Sequence, residues 1–121
     1  MQKTLAERIH GALFGAAVGD ALAFPWEGLS ALSTAALTKD AVKAYRPHRE
    51  GLFPAGQNSY RVQLMLGTLE CLAREGCLAD PEKIGSFLYP LARDRVLVKP
   101  PQGLCEALEA WACGQGFGGV V

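Results

Sequence analysis

Three glycines spaced four residues apart, Gly11, Gly15 and Gly19, run through the first apolar segment of the chain. No other feature constrains the fold as strongly. On an α-helix a four-residue step returns to nearly the same face, so these glycines draw a smooth stripe into which another backbone can settle. Leu5, Ile9, Leu13 and Ala17 repeat with the same step and draw an apolar stripe beside it. Glycine inside a helix costs up to about 1 kcal/mol relative to alanine, so the pattern predicts a helix whose cost is offset by close packing. Thr4-Leu5-Ala6-Glu7 has the Ser/Thr-x-x-Glu form of a capping box, which satisfies two backbone donors at a helix start. Pro25 disfavours helical geometry in the residue before it, so the helix is expected to end near Ala23.

Other segments carry the same 3.6-residue signature. Leu29 to Arg46 reads as one or two short helices, with Asp40 to Tyr45 the clearest piece and Pro47 its stop. Glu50 to Ser59 reads as a loop, because Gly51, Pro54, Gly56 and Asn58 fall within it. From Tyr60 to Glu75, Val62, Met65, Leu66, Leu69, Leu72 and Ala73 follow the helical period, and Gly76 supplies the stop. Asp80-Pro81-Glu82 restarts the chain with a capping carboxylate and a proline at the first helical position. That helix directs Ile84, Phe87, Leu88 and Leu91 inward, and Pro90 is expected to kink or end it. A last helix runs from Gln102 to Cys113, with Leu104, Leu108 and Trp111 on one side. Val96-Leu97-Val98 is the only strand-like run. The expectation is an all-α fold of about five helices, one domain spanning residues 1–121.

Composition narrows the function classes. Twelve basic and twelve acidic side chains balance to zero formal charge, whereas nucleic-acid binding rests on a basic excess gathered into a patch. The loose group Lys39, Lys43, Arg46, His48 and Arg49 includes Asp40 and Glu50, and reads as a solvated face rather than a nucleic-acid surface. Cys71, Cys77, Cys105 and Cys113 contain no C-x-x-C pair, so no zinc site is expected, and a reducing, cytoplasmic setting fits best. Lys3, Arg8 and the apolar run ending in Ala21-Leu22-Ala23 have the outline of a secretory leader. Glu7 and Asp20 sit where such a leader is basic or neutral, which argues against it. Asp20 also interrupts the run well before the roughly 20 apolar residues a membrane span needs.

The stretch from Arg8 to Glu27 resembles the opening of the ADP-ribosylglycohydrolase family, which has the pattern R-x-x-G-x-x-x-G-x-x-x-G-D-A-L-G-x-P-x-E. Arg8, Gly11, Gly15, Gly19, Asp20, Ala21, Leu22, Pro25 and Glu27 match it, and Ala23 replaces a glycine. The glycine-bearing loop Gly51 to Ser59, the helix tail beginning Gln63-Leu64-Met65-Leu66, Asp80-Pro81-Glu82 and the Gly103 to Leu108 segment follow in the family's order. The resemblance implies the N-terminal part of the family's helical domain, since the family's later Asp-x-Asp-Thr segment has no counterpart before Val121.

It also implies a chemistry. Family members hydrolyse ADP-ribosyl bonds with two magnesium ions, held partly by a Thr-Asp-Asp motif at the start of the helix that begins here at Tyr60. Magnesium wants oxygen ligands in near-octahedral array, but Ser59-Tyr60-Arg61-Val62 stands in that place. The expectation is therefore no metal ligands and no bound cofactor in this chain, and no hydrolysis by it alone. Glu27 falls where the family places a residue at the active-site rim and is the candidate catalytic group. Asp20, Ser59 and Arg61 are the candidate ligand contacts; Arg61 can grip a phosphate with two parallel hydrogen bonds, which would keep an ADP-ribose-like ligand without cutting it. Asp20, near a helix C-terminus, has a competing role in bonding neighbouring backbone or a buried basic side chain. His10 and His48 have no partners at ligand spacing and read as surface or packing residues. Two alternatives remain at this stage. One is a module that self-associates as a homodimer through helix faces left uncovered; the other is half of a split hydrolase completed by a second chain.

Overall fold

The computed structural model describes residues 2–30, 43–48, 51–76 and 80–115. All regular structure among them is helical: α1 spans Leu5–Ala23, α2 Tyr60–Glu75, α3 Pro81–Arg93 and α4 Leu104–Ala110. These four α-helices are one fewer than the sequence predicts. The expected helix between Leu29 and Arg46 lies mostly outside the described residues. No strand occurs among the described residues, and the chain divides into two compact units, Met1–Asn58 and Ser59–Val121.

In the first unit, the capping box forms as the sequence predicts. Thr4 Oγ1 accepts from the Glu7 N–H at 3.2 Å, and Glu7 Oε2 accepts from the Thr4 N–H at 2.8 Å. The 19-residue helix α1 then passes into a 3-10 turn, Phe24–Trp26, through the Phe24 N–H donating to the Asp20 carbonyl. Most of α1 faces outward: Leu5 is 72% and Phe14 75% exposed, and Ile9 and Val18 are exposed as well. A side-chain carbon built on Gly11, Gly15 or Gly19 would meet nothing within 4 Å. The close packing that the glycine stripe predicts therefore does not occur among the described residues. The buried part of this unit begins at Ala21 and continues past the helix, where buried Phe24 and His48 cluster with half-buried Phe53, ring centroids 4.8 to 5.9 Å apart. A turn closes that cluster, the His48 N–H donating to the Phe53 carbonyl at 3.0 Å and the Gly51 N–H to the His48 carbonyl at 2.8 Å. Asn58 Nδ2 donates to the Ala17 carbonyl at 2.7 Å, pinning the end of the loop to α1.

The second unit is a packed helical cluster. Ser59 caps α2, and Gly76 ends it in the left-handed region at φ 67°. Asp80 caps α3 with an oxygen accepting from the Glu82 N–H at 3.0 Å. Gly67 lets α2 and α3 approach, since a Cβ there would sit 2.8 Å from Leu88 Cδ2. Pro90 does not end α3, which continues to Arg93. Only the last turn follows the proline, so the helix loses a single backbone bond there. Buried Leu108 anchors α4, which is shorter than predicted. A π-helical turn, Trp111–Gln115, replaces its expected end, with left-handed Gly114 breaking the helix. Trp111 Nε1 donates to Glu82, tying that turn to the start of α3.

The strand-like run Val96-Leu97-Val98 is extended but pairs with a side chain instead of a strand. The Gln63 amide donates to the Val96 carbonyl and accepts from the Val98 N–H, each at 2.7 Å, and the Tyr60 N–H donates to the Val98 carbonyl at 3.0 Å.

Candidate functional site

The candidate residues fall in both units. Asp20 lies in the last turn of α1, and its carbonyl closes the helix end. Glu27 follows the 3-10 turn, donating its backbone N–H to the Phe24 carbonyl at 3.1 Å. Both are half-buried. Pro25, buried within the 3-10 turn, lies in the chain between them.

Ser59 and Arg61 form the start of the second unit. Ser59 is fully buried. Its hydroxyl oxygen accepts from the Arg61 N–H at 3.3 Å and from Arg61 Nη1 at 3.4 Å. The guanidinium lies over the Tyr60 ring, 4.8 Å from its centroid. These three residues thus fold into one knot around the first turn of α2. The ring quadrupole favours a cation over its face, and the hydroxyl gives the guanidinium a second hold. A helix N-terminus already carries a partial positive charge, although here the Tyr60, Arg61 and Val62 N–H groups are bonded to the Val98 carbonyl, the Ser59 hydroxyl and the Ser59 carbonyl. Arg61 adds a full positive charge in the same place.

That arrangement favours anions and opposes cations. At an effective dielectric of about 20, like unit charges about 4 Å apart repel by about 4 kcal/mol, and a dication doubles the effect. The donor set of Ser59, Tyr60 and Arg61 is two hydroxyl oxygens and a guanidinium, which does not fit the oxygen cage of a magnesium ion. Among the described residues, no three His, Cys, Asp or Glu side chains group together as a metal site would require. No helix among them is long and apolar enough to cross a membrane.

Sequence reasoning singled out Ser59 and Arg61 but not the contact that holds Arg61 over Tyr60. It also missed Gln63, one turn into α2, which fixes the 96–98 segment against the helix start. The i+1 stacking of an arginine on its neighbour and the reach of a glutamine across 35 residues leave no periodic trace in a sequence.

A wholly helical set of elements, opened by a capped, glycine-striped helix and a Pro-turn-Glu corner, defines the class. The family model for ADP-ribosylglycohydrolases matches residues 1–118. The chain belongs to that family. No curated protein and no solved structure matches it.

Proposed function

We propose that this family member does not hydrolyse ADP-ribosyl bonds by itself and instead retains an anion-binding helix start. The observation that carries this reading is the knot at the start of α2. A guanidinium, anchored by Ser59 and stacked on Tyr60, occupies the turn where the resemblance calls for carboxylates. A fixed positive charge at a helix N-terminus suits a phosphate or pyrophosphate and disfavours two magnesium ions. Glu27, as a general base, needs a metal-bound or otherwise activated water to act on; without metals it contributes at most a contact to ligand, as does Asp20. The ligand class that follows is an ADP-ribose-like diphosphate.

Calorimetric titration with ADP-ribose tests the binding half of this reading. Saturable binding that weakens at least about tenfold in Arg61→Gln supports it; binding indifferent to Arg61→Gln overturns it. The catalytic half is tested by release of ADP-ribose from an ADP-ribosylated arginine or serine peptide with Mg²⁺ present, where no release is expected.

Self-association is a second reading, favoured by the exposure of Leu5 and Phe14 on α1 and by the open glycine stripe. A glycine-lined face lets two helices approach closely, and a homodimer would cover it. Light scattering on the purified chain decides: a dimer is expected, and a clean monomer removes this reading. Among the described residues Cys105 and Cys113 are free cysteines, and a reducing compartment such as the cytoplasm goes with this reading.

A further inference from the structure

The end of α3 departs from the usual rule for stopping a helix. The Val96 N–H donates to the Leu91 carbonyl at 3.1 Å, and the Arg95 N–H donates to the Ala92 carbonyl at 3.2 Å. With Asp94 as the C-cap, this pair of bonds is a Schellman motif, whose left-handed position normally falls to glycine. Here Arg95 occupies it at φ 54°, a conformation that non-glycine residues seldom adopt. A second left-handed non-glycine residue, Lys99 at φ 45°, closes the same segment. The segment between them is held by Gln63 and Tyr60, so its geometry is fixed before any ligand arrives.

This segment walls a cavity of about 260 Å³, whose apolar lining comes from Leu91, Ala92, Leu97 and Pro100. Arg95 and Glu109 also line it, and both are exposed. Among the described residues neither has an ion-pair partner, in contrast to Arg74, Lys83 and Arg93, which are all paired. An unfavourable backbone state is retained where it does something for function. The thing it does here is aim an uncommitted guanidinium at an apolar hollow that also presents an uncommitted carboxylate.

We propose that this hollow binds a small zwitterion with an apolar body, of which a branched-chain amino acid is the simplest case. The apolar lining takes the hydrocarbon part, Arg95 takes the carboxylate with two parallel hydrogen bonds, and Glu109 takes the ammonium. The volume of about 260 Å³ lies just below the range of about 300–1,000 Å³ usual for small-molecule sites, so it excludes a nucleotide. The site shares no lining residue with the start of α2, although its wall is bonded there, and it does not depend on the reading given for that helix start.

Titration of the full chain with L-leucine tests this, alongside 4-methylpentanoate, which lacks the ammonium. Alkylation of Cys105, which also lines the cavity, reports where the ligand sits. We expect saturable leucine binding with Kd near about 1 mM and slower alkylation of Cys105 but not of exposed Cys113. Arg95→Gly should weaken binding at least about tenfold while raising the melting temperature, because glycine suits the left-handed position. Glu109→Gln should weaken leucine binding and leave 4-methylpentanoate unaffected. No saturable binding up to about 20 mM leucine, or binding that survives Arg95→Gly, overturns the site. Equal binding of 4-methylpentanoate and leucine overturns the zwitterion.

Discussion

Helix α1 and helix α2 begin with equally clear sequence signals yet have opposite fates. Both open on a hydroxyl cap, Thr4 and Ser59, and both carry apolar residues at helical spacing. In α2 that spacing becomes packing: Val62 and Cys71 are buried and Gly67 lies against α3. In α1 it does not. Ala21 is its one buried residue, and among the described residues nothing lies within 4 Å of a Cβ built on its glycines. Local signals determine that a segment is helical, while burial depends on whether a neighbouring element presents a matching surface. The first helix is therefore held by its ends, and the second by its flanks.

That contrast can be broken by mutation, and the largest effects belong in the second unit. Leu108, 2% exposed, should cost about 2–4 kcal/mol when changed to alanine, by lost burial and the cavity left behind. The matching change of Leu5, 72% exposed, should stay within about 0.5 kcal/mol. Chemical denaturation of both variants checks this, and similar losses would show that α1 is covered after all. The glycines should differ in sign. Gly67→Val forces atoms into Leu88, already 2.8 Å from a bare Cβ, and should destabilise by about 1–3 kcal/mol. Gly15→Ala meets no atom within 4 Å and should stabilise α1 by up to about 1 kcal/mol through helix propensity. If Gly15→Ala instead destabilises the protein and lowers its mass by light scattering, the stripe is packed against a second copy.

The end that holds α1 gives a smaller effect. Thr4→Ala removes one half of the capping box and should cost about 1 kcal/mol, seen as lower helicity and a lower melting temperature.

The smallest effect concerns the exposed pair Arg93–Asp94, 2.9 Å apart. The hydrogen bond from Arg93 holds the Asp94 carboxyl below its ordinary value. The unfolded chain then binds the proton more readily than the folded one, so the pair's contribution is present above the ordinary carboxylate range and fades as pH falls through it. Asp94→Asn should slightly flatten the loss of stability on acidification, measured as melting temperature between about pH 5 and pH 2. Solvent screens so exposed a pair, and a large change would mean that other groups are coupled to it.

Where the sequence was legible, the cause is local. Thr4 with Glu7, Asp80 with Pro81, and Gly76 each act within one turn of chain, and each appears as predicted. The fold class follows from such signals together with the absence of two-residue alternation. Four features escaped. Arg95 stands where the motif favours glycine, so residue type points away from the turn that forms. Gln63 bonds a segment more than thirty residues distant. The α4 end passes into a π turn that contains Gly114 in a left-handed conformation. The exposure of α1 is a property of its neighbours and not of its own pattern. Of the candidate site, Ser59 and Arg61 were legible as residue types in the family's motif position. Their mutual contact and the stacking on Tyr60 were not, since both depend on which rotamer a long side chain adopts.

The proposal at stake is that a cation at the start of α2, Arg61, stands in place of the family's metal-dependent chemistry. Release of ADP-ribose from an ADP-ribosylated arginine peptide, followed with and without Mg²⁺, tests it most directly. The account predicts the same background rate in both conditions, with and without the protein. Mg²⁺-dependent turnover by the purified chain would contradict it.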